Sequence, residues 1–191
     1  WIVLEIARDI KRKHSTPIVV MTYYNPIFRM GLERFFSLAK ACTVDGVIVP
    51  DLPVEEASDY LENARANGID TIFLVAPSTS SDRLKKIVDC TSGFLYLISH
   101  FGVTGEKAWV ADSTIELIKC VLPFTEGRVP LAVGFGVSKP EHARSIISAG
   151  ADGVIVGSAF VNVVQKNQGN SQAIVTEVGR LAREFKAATT G

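Results

Sequence analysis

The chain has 191 residues, 47% of them hydrophobic, with 20 basic and 20 acidic side chains and no formal net charge. That length supports one domain with a sizeable core. The balanced charge argues against a nucleic-acid or polyanion binder, which needs surplus Lys and Arg to neutralise phosphates.

No apolar run approaches the roughly 20 residues of a membrane helix. The charges at Glu5, Arg8 and Asp9 leave no signal-peptide pattern at the start. The first residues are Trp1-Ile2-Val3 with no Met, so the natural start is expected upstream. Residues 1–13 read as a helix, with Ile2, Ile6 and Ile10 forming an apolar stripe against Glu5, Arg8, Asp9 and Arg12. Pro17–Thr22 is short and rich in β-branched residues, which predicts a strand buried on both faces. Asn25-Pro26 is expected to break the chain. Leu32–Cys42 then reads as a helix with Phe35, Phe36, Leu38 and Ala39 inward.

The alternation continues. Strands are predicted at Gly46–Val49, Thr71–Val75 and Phe94–Ser99, with helices at Glu55–Asn67 (ended by Gly68) and Asp82–Val88. A Gly- and Thr-bearing loop at Gly102–Ala111 precedes a helix at Ser113–Leu122. Strands at Pro130–Val133 and Gly153–Val156 flank a helix in which Ser138 and Glu141 form a Ser-x-x-Glu capping box. Gly157-Ser158 opens another helix, and an amphipathic helix covers Gln172–Lys186.

Strands and helices in this order predict an α/β fold with a parallel sheet of βα units. The strands begin near residues 17, 46, 71, 94, 130 and 153, a mean step of about 27 residues. Asp45-Gly46-Val47-Ile48-Val49 is repeated as Asp152-Gly153-Val154-Ile155-Val156, 107 residues or about four units later. Such an echo suggests a (β/α)8 barrel of two related halves. A full barrel takes about 250 residues. The chain is therefore expected to be a single domain over residues 1–191. It would form the C-terminal three-quarters of a barrel and lack the first two βα units. A barrel left incomplete would expose sheet edges that invite pairing with another chain.

In barrels the active site lies at the C-terminal strand ends, and phosphate often sits after strands seven and eight. Gly134-Phe135-Gly136 and Gly157-Ser158 fall there and place bare backbone amides near helix starts, which suits a phosphate. The plainer alternative is that these glycines only permit tight turns. None of the six strands carries a lysine for Schiff-base chemistry. Only Asp51 and His100 stand where metal ligands would be needed, two strands apart, so no metal is expected. No GxGxxG or Walker loop precedes a helix. Acid–base chemistry on a phosphorylated small molecule remains. Asp51 could orient a catalytic group or simply cap the helix that starts at Leu52-Pro53. Tyr23 and Tyr96, taken as strand-end residues, could line a flat pocket or pack the core. His100 is better read as a surface His, and Trp109 as a cover for apolar surface. Cys42, Cys90 and Cys120 are too widely spaced for a disulfide framework or zinc site. They are expected to be small buried residues in a reducing, cytoplasmic setting.

Five motifs together resemble one family. They are Thr22-Tyr23-Tyr24-Asn25-Pro26, Pro50-Asp51-Leu52-Pro53-Val54-Glu55-Glu56, Gly102-Val103-Thr104-Gly105, Gly134-Phe135-Gly136-Val137-Ser138 and Gly157-Ser158-Ala159. In this order and spacing they resemble the tryptophan synthase alpha chain family, most of all its archaeal members. The resemblance implies a lyase of tryptophan biosynthesis that cleaves indole-3-glycerol phosphate to indole and glyceraldehyde 3-phosphate. It implies no cofactor in this chain. The partner is a beta chain that carries pyridoxal phosphate and takes up the indole within a heterotetramer.

By the same resemblance, Gly105, Gly134, Gly136, Gly157 and Ser158 match the phosphate cup. Tyr23, Ile48, Leu74, Tyr96 and Phe135 match the indole pocket, and Thr104 matches the loop threonine that steadies a catalytic carboxylate. Tyr96 and Asp51 are supporting candidates. Residues around Asn25-Pro26 and Pro53 match surfaces facing the beta chain. The family's catalytic glutamate and aspartate match nothing in these 191 residues, and Glu5 and Asp9 lie on the charged face of the first helix. The chain is therefore expected to bind without turning over alone. The alternatives are another phosphate-binding barrel enzyme of ribulose-phosphate isomerase type, or a noncatalytic module that binds a beta chain.

Overall fold

The computed structural model describes residues 2–98, 112–134 and 136–190. Its elements run α1 (Ile2–Lys11), β1 (Val19–Met21), α2 (Tyr24–Met30), α3 (Leu32–Ala41), β2 (Gly46–Ile48), a 3-10 turn (Val54–Glu56), α4 (Ser58–Asn67), β3 (Asp70–Ile72) and β4 (Leu74–Val75). Then follow α5 (Ser81–Cys90), β5 (Leu95–Ile98), α6 (Asp112–Thr125), β6 (Leu131–Gly134), α7 (Pro140–Ser148), β7 (Gly153–Ile155), α8 (Ser158–Lys166) and α9 (Ser171–Thr189). All six expected strands are present, the third one divided at Phe73. Among the described residues no helix is long and apolar enough to cross a membrane, and no cluster of three or more His, Cys, Asp or Glu could hold a metal ion.

Two compact units divide the chain: residues up to Leu74 with Ser80–Leu95, and Val75–Thr79 with residues from Tyr96 onward. The first holds a parallel sheet in the order β1-β2-β3, with Met21 opposite Ile48 and Ile48 opposite Ile72. Its core is aromatic. The Phe36 and Tyr60 rings meet edge to face at 5.2 Å, and Tyr60 meets Phe73 at 6.4 Å. Such pairs add about 0.5–1.5 kcal/mol each beyond the area they bury. The Tyr60 hydroxyl donates to the Val47 carbonyl at 3.3 Å, which satisfies a polar atom deep in that core, and burial raises its pKa.

Four details of this unit depart from the sequence expectation. The isoleucine stripe of α1 is turned to solvent: Ile2 is 70% exposed, and Ile6 and Ile10 are exposed too, while Leu4 and Ala7 are buried. β1 is the edge of its sheet, so only Val20 is buried and Val19 and Met21 stand open, instead of both faces being covered. Asn25-Pro26 does not break the chain. It lies in the first turn of α2, where proline's missing N–H has no intrahelical partner to lose. Glu55 and Glu56 belong to a 3-10 turn, and α4 starts only at Ser58.

In the second unit β6 and β7 run parallel, with Gly134 opposite Ile155. Ala143 and Ile146 of α7, Ala159 of α8, and Phe185 and Ala188 of α9 are buried. The Phe160 and Phe185 rings lie 6.1 Å apart. The expected capping box is absent. α7 is capped at Lys139 with Pro140 in its first turn, and no side chain caps it. Proline's fixed φ is pre-organised for the first helical position, which sets the start two residues past Ser138. The cysteines also differ from expectation: all three are unpaired, but only Cys42 is buried, Cys90 is half-buried and Cys120 is exposed.

The sequence echo is a structural echo. Asp45 precedes β2, and its Oδ2 accepts the Ile18 N–H at 2.6 Å while its own N–H donates to the Ile18 carbonyl at 2.9 Å. Asp152 precedes β7 and does the same to Leu131, at 2.8 Å and 2.9 Å. Each aspartate thus closes a parallel ladder at its start, where a strand's first amide would otherwise lack an acceptor. Ser92 makes an analogous clip, its Oγ accepting the Thr71 N–H at 2.9 Å.

Candidate functional site

The strand ends of the second unit carry the glycine turns, and each glycine has a different reason to be there. Gly134 is the last residue of β6. A Cβ on it would lie 2.8 Å from Tyr96 Cε2 and 2.9 Å from Ile155 Cβ, so the position is reserved for close packing against the Tyr96 ring. Gly136 has φ of 81°, in the left-handed region that favours glycine. Gly157 has neither constraint. Its φ is −119° and a Cβ there would meet nothing within 4 Å. Packing therefore accounts for Gly134 and the plain turn explanation for Gly136, but neither accounts for Gly157.

Gly157 is the N-cap of α8, and no side chain caps that helix; Ser158 is its first residue. An uncapped helix start leaves its first amides to an outside acceptor, and the aligned peptide dipoles favour an anion there. A phosphate fits that description, and the missing Cβ of Gly157 leaves room for it. Gly157 and Ser158 are both exposed, as is Gly136. The turn after β6 is separated from the start of α7 by Val137–Lys139, so only the turn after β7 abuts a helix directly.

Tyr96 is the second residue of β5, not a strand-end residue; it is half-buried, and burial raises its pKa. Its ring lies against Gly134, where any larger residue would displace it. Phe135, His100, Thr104, Gly105 and Trp109 lie outside the described residues.

In the first unit, Ile48 closes β2 and is buried, while Leu74 opens β4 and is half-buried. Tyr23, which with Thr22 joins β1 to α2, is 68% exposed. Asp51 follows β2 and is engaged with the backbone of another segment. Its Oδ1 accepts the backbone N–H of Tyr24 at 2.8 Å, so the carboxylate caps α2 and not the helix of its own segment. Asp51 and Leu74 also line a cavity of about 190 Å³ with Pro50, Leu52, Phe73 and Arg83. The Arg83 guanidinium donates to Glu55 Oε2 at 3.2 Å.

Sequence reasoning missed the clips made by Asp45, Ser92 and Asp152. A signal was available: the repeated pentapeptide begins with aspartate both times, at a place where β propensity alone would not put one.

Comparison with known proteins adds to this geometry. The family model described as "Tryptophan synthase alpha chain" matches residues 2–190. The tryptophan synthase alpha chain of Methanothermobacter thermautotrophicus is 47% identical over 184 residues, which cover 96% of this chain and 67% of that one. A structure of the Pyrococcus furiosus tryptophan synthase a2b2 complex contains a chain that is 42% identical, with a TM-score of 0.88 over 96% of this chain and 72% of that one. The tryptophan synthase A-subunit of the same organism gives 42% identity and a TM-score of 0.85 over the same shares. The fold class is therefore that of the (β/α)8 barrels to which these subunits belong, and the chain spans about two thirds of the relative's length.

Proposed function

Because the chain belongs to the tryptophan synthase alpha chain family, we propose that it binds indole-3-glycerol phosphate, the ester whose retro-aldol cleavage gives indole and glyceraldehyde 3-phosphate. The observation that carries this is the end of β7. There Gly157 leaves open space above an α8 start that no side chain caps. The phosphate is held by backbone amides at Gly157 and Ser158, with Gly134, Gly136 and Gly105 completing the cup. Tyr23, Ile48, Leu74, Tyr96 and Phe135 are the residues that meet the indole. Thr104 is the residue that would steady a catalytic carboxylate.

The chain needs no cofactor in this reading. Pyridoxal phosphate belongs to a partner beta chain, which is met through the surface around Asn25-Pro26 and Pro53. A cytoplasmic setting agrees with three unpaired cysteines. In the same reading residues 1–191 are a single domain, the C-terminal three-quarters of a barrel.

Acid–base catalysis contributes about 10²–10⁴ in rate and needs a free carboxylate beside the indole. Asp51, the strand-end carboxylate among the described residues, is engaged as the cap of α2. With no other strand-end carboxylate among the described residues, our reading is that the chain binds the ester without cleaving it. Calorimetric titration with indole-3-glycerol phosphate should show binding that inorganic phosphate competes away, with no indole released. Absence of binding, or binding indifferent to phosphate, would sink the proposal. Sustained indole release would overturn only the part that denies turnover.

A further inference from the structure

The β1–β2 ladder is closed at both ends by aspartates of the same segment. At its start Asp45 takes the Ile18 N–H. At its far end the last backbone bond runs from Thr22 N to Ile48 O at 3.1 Å, and one step beyond it Asp51 Oδ1 takes the Tyr24 N–H at 2.8 Å. The second contact joins residues that are 27 apart in sequence.

Helix α2 depends on such an anchor. It has seven residues, well short of the roughly 12–15 that an isolated helix needs to persist in water. Its C-terminal half is held by the buried Ile27 and by Gly31, whose N–H bonds the Ile27 and Phe28 carbonyls. Its N-terminal half has no such support. The N-cap residue is Tyr23, whose side chain makes no cap bond. The carboxylate of Asp51 supplies the missing acceptor.

The echo gives the arrangement a second meaning. Asp51 stands six residues after Asp45, as Ser158 stands six residues after Asp152. At this shared offset the second unit presents an uncapped helix start. The first unit presents an anion of its own.

We infer that Asp51 is a positioning residue: its carboxylate fixes the turn between β1 and α2 and through it the placement of Tyr23. This rests on the proposal that Tyr23 meets the indole. Asp51 touches the Tyr24 amide and acts on a ligand only through that turn.

The test compares Asp51→Ala, which removes the acceptor, with Asp51→Asn, which keeps an oxygen for the Tyr24 N–H without the charge. Two readouts are taken on the full chain: hydrogen exchange at the Tyr24 amide, and affinity for indole-3-glycerol phosphate beside affinity for inorganic phosphate. Asp51→Ala should speed exchange at Tyr24 by about tenfold or more and weaken the ester by a similar factor, the scale of one hydrogen bond to a charged group. Inorganic phosphate affinity should not move. Asp51→Asn should restore most of both losses. Unchanged exchange at Tyr24 in Asp51→Ala overturns the inference. So does an Asn variant as poor as Ala in ester affinity, because the charge would then act on the ligand directly. If the wild-type chain binds neither ester nor phosphate, the functional proposal falls, while exchange at Tyr24 still decides whether Asp51 holds the turn.

Discussion

The β1–β2 and β6–β7 ladders are built alike at one end and differently at the other. Both start with an aspartate that takes the first amide of the neighbouring strand, Asp45 on Ile18 and Asp152 on Leu131. The registers coincide, with Met21 opposite Ile48 and Gly134 opposite Ile155. At the far end, β1–β2 presents exposed Met21, then Pro50 and the Asp51 carboxylate bound to Tyr24. The other pair presents buried Gly134, then Gly157 and Ser158 with no side-chain cap. One scaffold thus serves two ends: in one the chain supplies its own anion, and in the other the place is left open. The starts of these ladders secure the fold, and the ends carry whatever chemistry the chain has. The division follows the general rule for parallel α/β proteins, in which ligands gather at the carboxyl ends of strands.

The sharpest way to break the comparison is Gly134→Ala. At the matching position β1 tolerates Met21, which is 58% exposed. In β6 a methyl group would enter the 2.8 Å gap to the Tyr96 ring. Overpacking of this kind costs about 1–3 kcal/mol. Thermal unfolding should show the loss, and near-ultraviolet circular dichroism should show that the Tyr96 ring has moved. Met21→Ala, by contrast, should lower stability by less than about 0.5 kcal/mol, as expected for an exposed side chain.

Next come the two clips. Asp152→Ala and Asp45→Ala each leave a strand's first amide without its acceptor, at about 1–2 kcal/mol. Asp45→Ala also removes the ion pair with Lys11 Nζ at 2.9 Å. The Asp45 side chain is 40% exposed, however, so solvent screening keeps that pair's share below about 1 kcal/mol. Denaturant unfolding of both variants should therefore give similar losses. A much larger loss for Asp45→Ala would mean that the ion pair, and not the shared clip, holds the first unit.

Proton linkage separates the same two contributions. Burial alone would raise the Asp45 pKa, but the Ile18 N–H and the Lys11 ammonium outweigh it and hold the carboxyl below its usual value. A depressed pKa gives stability that is fully present above the unfolded carboxylate range, near pH 4, and is lost as pH falls through the folded value. Asp45→Asn should thus be less stable than the parent chain at pH 6, by about 1 kcal/mol or less. The gap should close as the pH drops below about 4. A constant gap across that range would show that the charge contributes nothing.

Much of this architecture is legible in the sequence. Periodicity and β-branched runs located the strands because each is short, apolar and bounded by Gly, Pro or Asp, and burial enforces that pattern locally. The glycine pairs were legible for the same reason. The α1 stripe is legible as the apolar face of a helix, but periodicity does not report whether anything covers it. Asp51 was undecided because its partner is the backbone amide of Tyr24, 27 residues earlier, and an amide leaves no mark in a sequence. The clips stayed hidden likewise, since Ile18 and Leu131 contribute only main-chain atoms. Side-chain patterns are written in the sequence. Side-chain-to-backbone bonds across a sheet become visible only once the register is known.

A modest effect on stability is expected at Gly157, and it bears most directly on the open end of β7. Its backbone is ordinary, with φ of −119°, and its surroundings are empty to 4 Å. Alanine is worse than glycine at an N-cap, so Gly157→Ala should cost about 0.5–1 kcal/mol. The methyl group would nonetheless stand in the space assigned to the phosphate, beside the α8 amides. Inorganic phosphate titrated against this variant should bind at least about tenfold more weakly than to the parent, the equivalent of one lost charge-assisted bond. Phosphate affinity that survives Gly157→Ala while the fold stays intact would remove the end of β7 from the binding site. The contrast between the two ladder ends would then be one of packing alone.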